Sequence, residues 1–178
     1  MQASIELQQR PAVQYLLRLG DTCLILGQRL GEWCGHAPVL EEDIALANMA
    51  LDLIGQARAV LTHAGQIEGQ DRGRTFDEDQ LAFLRDERDY LNPTLVELPR
   101  GDFAFTVLRN AIVATWLKLL WERLRDTSDA ELAAIAGGHG LTPGLVAQGL
   151  VLAGLDGLQH RVVAAGHLGD AVGGDLHH

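Results

Sequence analysis

The chain has 178 residues, 47% of them hydrophobic and 21% charged, with a formal net charge of −10. That composition supplies one domain with a sizeable core and an ordinary water-facing surface. With Lys118 as the single lysine, the balance argues against a surface that holds nucleic acid or anionic lipid by neutralising phosphates. The opening MQASIELQQR lacks the pattern of a secretory signal, and no apolar run approaches the ~20 residues of a membrane span, so a cytoplasmic protein is expected.

A first helix is predicted from about Pro11, a favourable opening residue, to about Trp33, carrying Leu16, Leu19, Leu26 and Leu30. Gly27, Gly31 and Gly35 recur every four residues; they form either a smooth ridge for a neighbouring backbone or a kink at the helix end. Cys23 and Cys34 lie too far apart along one helix for a disulfide and lack a C-x-x-C spacing, so both read as small core residues.

The second helix is predicted from near Val39 to about Ala64, with Glu41, Glu42 and Asp43 favoured by the positive end of its dipole and Gly65 as its stop. Glu41, Asn48, Asp52, Gln56 and His63 fall on one polar stripe of this helix, either a solvated face or a vestigial inward-facing site. Residues 68–75 read as a polar loop. A short acidic helix follows, capped by Asp77 or Asp79 and ending before Pro93. The run Arg85-Asp-Glu-Arg-Asp89 suits an exposed charged turn, with a network at a subunit boundary as the alternative.

Asp102 reads as the N-cap of a long helix with Phe103, Val107, Leu108, Ile112, Val113, Trp116, Leu117, Leu119, Leu120 and Trp121 pointing nearly all the way round. Such a helix is either central in its own domain or buried against a partner. Ser128-Asp-Ala-Glu131 has the form of a capping box for a further helix. Beyond it the composition changes: residues 137–178 hold eleven of the twenty glycines, five of the seven histidines and only four charged residues. The expected division is a helical domain over 1–136 and a glycine-rich tail over 137–178. Two weak helices are conceivable there, near 145–153 and 158–168.

Three stretches resemble one family closely: Leu19-Gly-Asp-Thr-Cys-Leu-Ile-Leu-Gly-Gln-Arg-Leu-Gly-Glu-Trp-Cys-Gly-His36, Pro38-Val-Leu-Glu-Glu-Asp-Ile-Ala-Leu-Ala-Asn48 and Leu84-Arg-Asp-Glu-Arg88. With Val96-Glu-Leu-Pro99 and Gly101-Asp-Phe103 the match spans roughly residues 14–136. They resemble the non-catalytic ferritin-like subunit of bacterial phenylacetyl-CoA epoxidase, a multicomponent ring-1,2-phenylacetyl-CoA monooxygenase. The resemblance implies an all-α, ferritin-like bundle that scaffolds a related catalytic di-iron subunit and its fellow oxygenase components, and carries no cofactor itself. The tail departs from the family, whose members continue with a charged amphipathic segment; a bundle incomplete at its C-terminus is therefore expected.

The residues agree with that division of labour. Di-iron carboxylate bundles use Glu from two helices and Glu-x-x-His from two others, and this chain has no Glu-x-x-His; Asp52-Leu-Ile-Gly55 stands where one would be needed. No catalytic or metal-binding residue is assigned. A second reading, an independent metalloenzyme, would have to use Glu41, Asp52, His63 and tail histidines such as His139, His160 and His167, whose spacing is unsuited to iron. A third, a small-ligand or coenzyme-A module, would use Arg58, Arg72 or Arg74, but Gly137-Gly-His-Gly140 lacks the Lys-Ser/Thr of a phosphate loop. Alone, a chain with so apolar a helix is expected to self-associate.

Overall fold

The computed structural model describes residues 5–7 and 9–139, apart from the side chains of 71, 72 and 139. Among them all regular structure is helical: α1 (Pro11–Gly31), α2 (Leu40–Arg72), α3 (Glu78–Phe83), a 3-10 turn (Glu87–Asp89), α4 (Thr94–Glu97), α5 (Phe103–Leu124) and α6 (Ala130–His139). The expectations for the tail beyond residue 139 lie outside the described residues, as do His160 and His167. α6 continues through Gly137 and Gly138, past the predicted boundary at 136.

α1 and α2 form an antiparallel hairpin at close range. A Cβ on Gly20 would meet the Leu61 side chain at 2.8 Å, and one on Gly27 would meet the Ala50 carbonyl oxygen at 3.2 Å. The small-residue ridge is thus real at Gly27. It does not extend to Gly31 or Gly35, which have nothing within 4 Å; Gly35 instead adopts φ +77° in the turn that ends α1.

The second helix is longer than expected. Neither Gly65 nor the supposed loop from Glu68 stops it; α2 runs 33 residues, roughly 50 Å, to a left-handed Gly73. The reason is packing: a Cβ on Gly65 would lie 1.9 Å from the Phe76 carbonyl oxygen, so the returning chain presses on the helix at the point where it lacks a side chain. Glycine here permits contact rather than ending the helix, and Glu68 is fully buried.

The crossover from residue 73 to 102 returns along the bundle and starts α5 parallel to α2. Asn110 lies against Met49, and Trp121 against Gln56 further along both helices. One long crossover of this kind is the ferritin-like connection. Asp77, one of the two caps foreseen, forms a reciprocal capping box with Gln80, and Asp102 Oδ1 accepts from the Phe105 N–H at 2.7 Å as predicted. α3 is a short helix that ends at Phe83, before Pro93 as expected.

Arg85 corrects the reading of its charged run as an exposed turn. Its side chain is 1% exposed and pairs with Asp21 of α1, itself 0% exposed. Asp21 Oδ2 also accepts from Arg85 Nη1 at 3.0 Å and from the Leu91 N–H at 2.9 Å. The cap of α6 is corrected too: Asp129, not Ser128, accepts from the Leu132 N–H at 3.0 Å.

Gly65→Ala should lower stability by at least ~1–3 kcal/mol, since a backbone carbonyl cannot step aside like a side-chain tip. Gly55→Ala, in the same helix with nothing within 4 Å of the added Cβ, should raise stability by ~0.5–1 kcal/mol. Urea denaturation of the two variants measures both.

Candidate functional site

The place where a ferritin-like bundle would hold metal is the contact between the middle of α2 and α5. The polar stripe predicted on α2 divides there. Glu41, Asn48 and Asp52 are exposed, while Gln56 and His63 are buried. Neither alternative for the stripe holds along its whole length, because Gln56 and His63 meet Trp121 of α5 and Asp129 at the start of α6 while the side chains of Glu41, Asn48 and Asp52 stay exposed.

Gln56 Oε1 accepts a hydrogen bond from Trp121 Nε1 at 2.9 Å. Cys23 Sγ reaches the same oxygen at 4.0 Å, a weak sulfur contact. Burial pushes the Cys23 thiol up to about 12, so it stays protonated and unreactive. Cys23 is the core residue that was expected, whereas Cys34 is exposed in the turn after α1.

His63 Nε2 lies 2.8 Å from Asp129 Oδ2, so one carboxylate both caps α6 and ties it to α2. Burial pushes the Asp129 carboxyl up, but the Leu132 N–H and the His63 hydrogen bond outweigh it, and the group titrates below its ordinary 3.8. Beside this pair is an open cleft of about 310 Å³ lined by Arg58, Thr62, Gln66, Glu131 and Ile135.

These residues do not fit a di-iron centre. Among the described residues, no group of three or more His, Cys, Asp or Glu side chains is placed to hold a metal ion. Gln56 offers one neutral oxygen already taken by an indole N–H, Asp52 and Glu41 face outward, and His63 is engaged by Asp129. The phosphate-binding reading fares no better: Arg58 pairs with Glu78 at 2.8 Å, and Arg74 lies over the Phe76 ring, 4.9 Å from its centroid. The side chains of Arg72 and His139 lie outside the described residues.

Sequence reasoning anticipated the apolar circumference of α5 and left open whether it is central or partner-covered. The helix is central on one side and exposed on the other. Val113, Ala114, Leu117 and Trp121 are core, while Leu108, Ile112, Trp116 and Leu119 are 45–57% exposed, a seam at i, i+4, i+8 and i+11 on the opposite side. The outer side of α2 carries a similar seam of Leu40, Ile44, Leu51 and Ile54. The statement that no segment reaches membrane-span length is corrected: α2 over Leu40–Gln70 and α5 over Phe103–Leu124 reach mean hydropathy 1.3 and 1.4. Each nevertheless buries polar groups against the bundle, Gln56 and His63 on one and Arg109 and Asn110 on the other, as core helices do.

Fold and interior together define an all-α, ferritin-like bundle in which α2 and α5 are joined by the neutral Gln56–Trp121 hydrogen bond. The family model for phenylacetic acid catabolic proteins matches residues 1–138, and the chain belongs to that family. It is 54% identical over 122 residues to one of the subunits of the 1,2-phenylacetyl-CoA epoxidase of Escherichia coli (strain K12). The aligned part is 68% of this chain and 47% of that relative, so the chain spans about half the length of the curated relative it matches.

The lowered Asp129 value fixes a pH dependence. A carboxyl depressed in the folded state contributes stability above its ordinary value, and that contribution is lost as pH falls through the folded value. The urea midpoint should therefore fall on acidification from about pH 5 to about pH 2 partly through Asp129. In Asp129→Asn the midpoint should be lower at neutral pH, and the drop over that interval smaller.

Proposed function

We propose that this chain is a structural, non-catalytic subunit of a cytoplasmic multicomponent di-iron monooxygenase, the complex that epoxidises the aromatic ring of phenylacetyl-CoA in phenylacetate degradation. The observation that carries the reading is the Gln56–Trp121 hydrogen bond between α2 and α5: helices of a metal-binding bundle face one another with carboxylates, whereas these two meet with neutral groups. Chemistry is then assigned to a related subunit that holds the di-iron centre, and the contribution of this chain is shape. The exposed seam of Leu108, Ile112, Trp116 and Leu119 on α5 is the surface offered to that subunit, since contiguous apolar side chains of this size mark interaction sites. Similarity to one of the subunits of an epoxidase supports the reading.

Two measurements test it. After co-expression with the catalytic subunit, elemental analysis should find iron in proportion to that subunit and none in this chain purified alone. Iron held stoichiometrically by the isolated chain overturns the proposal. Trp116→Glu should abolish co-purification with the catalytic subunit while leaving the far-UV circular dichroism of the isolated protein unchanged, because Trp116 is 45% exposed. Loss of helical signal would instead make Trp116 a core residue.

A further inference from the structure

The seam on the outer side of α2 points away from the one on α5. At about 100° per residue, Leu40, Ile44, Leu51 and Ile54 fall within an arc of roughly 80°, and Met49 and Gln56, which face α5, lie on the other side of the helix. A neighbour covering α5 therefore does not reach this face. Its surroundings have one sign of charge: residues 31–55 contain Glu32, Glu41, Glu42, Asp43 and Asp52, with no lysine or arginine. Glu32 is neutralised by Arg29, and the next cation along α2, Arg58, is held by Glu78. Glu41 and Asp52 are exposed on one side of the seam, about 60° and 80° round the helix from Ile44. The helix dipole supplies only about half a positive charge against the acids of the first turn.

We infer that this face of α2 docks an amphipathic helix of another protein, one whose apolar stripe is flanked by lysine or arginine. The four apolar side chains at i, i+4, i+11 and i+14 offer the groove pattern into which a helix lays its own stripe, and the acidic rim selects the sign of the flank. A second copy of this chain brings the same acidic face and a net charge of −10, so like charges meet. An anionic membrane is repelled for the same reason. The inference goes beyond the subunit role above and does not depend on which protein covers α5.

Two labelled synthetic helices with an identical leucine stripe, one flanked by lysine and one by glutamate, test it by fluorescence anisotropy against the full chain. The lysine-flanked helix should bind at least about tenfold more tightly than the glutamate-flanked one, and weaken between low and moderate salt as exposed charges are screened. Glu41→Lys/Asp52→Lys should reverse the preference, and Ile44→Ser/Leu51→Ser should remove binding of both. Phe83→Ser, at a separate exposed apolar residue on α3, should change neither and so controls for general stickiness. Equal binding of the two helices, no binding of the lysine-flanked one, or binding unmoved by the α2 variants overturns the inference. So does a homodimer of the free chain that Ile44→Ser/Leu51→Ser dissociates, since the face then belongs to a second copy.

Discussion

The buried pair of Asp21 and Arg85 is the constraint on which the arrangement of the bundle rests. Both side chains are removed from water, and an ion pair so placed holds only if the remaining donors and acceptors are satisfied. Here they are drawn from three segments. Asp21 accepts from the Leu91 N–H as well as from the guanidinium, Arg85 Nε donates to the Leu81 carbonyl at 2.5 Å, and the guanidinium lies over the Tyr90 ring, 4.5 Å from its centroid. Tyr90 in turn donates to the Ala82 carbonyl. A slip of the crossover by one residue would strand a charge in the core, a loss of about 3–5 kcal/mol when one partner of such a pair is removed. The pair therefore fixes the register of residues 81–91 on α1, and through them the direction from which α5 begins.

With α5 placed parallel to α2, the interior is decided by which side chains meet. Trp121 and Gln56 come together with complementary hydrogen-bonding groups, one donor to one acceptor, and Trp121 is fully buried. A carboxylate in place of Gln56 would need a cation or a second donor to avoid a desolvation cost, and Cys23, with its thiol held protonated, is a poor substitute. The neutral amide avoids that problem. Ferritin-like bundles that bind metal bury several carboxylates beside the ions themselves; here α2 and α5 meet through a neutral amide and an indole N–H.

What the sequence made legible follows the range of the interactions concerned. Pro11 at the start of α1, Asp77 with Gln80, and Asp102 at α5 are local signals acting over one turn, and each is found where its chemistry puts it. Gly65 misled because its local preference for ending a helix was overridden by a backbone contact with Phe76, eleven residues on and invisible to periodicity. Arg85 misled for the same reason at greater range: within Arg85-Asp-Glu-Arg-Asp89 nothing separates the one inward arginine from its exposed neighbours except Asp21, 64 residues earlier. Ser128 and Asp129 are both good caps, and the choice between them is made by His63 on another helix. The lack of a Glu-x-x-His turn was legible because it is a spacing of residue types in the sequence itself and does not depend on folding.

The apolar excess of α2 and α5 then has a physical account. A helix serving one core needs an apolar stripe and can leave the rest polar, whereas these two are apolar toward the interior and again on the outer side, enough to satisfy a membrane-span criterion on composition alone. Their inner sides are not lipid-like, since Gln56 and Trp121 are hydrogen-bonded to each other and the buried Asn110 reaches only Met49 Sδ, at 4.0 Å. Leu51, Leu108 and Leu119 keep most of their surface in water, being 57–66% exposed in the folded chain. Large apolar side chains aligned along a helix and left in water favour association over solubility. The two seams point in different directions and differ in their flanks: acids border the one on α2, whereas Lys118, Glu122 and Arg123 give mixed charge at the end of the one on α5. Faces so unlike suit two different neighbours rather than one.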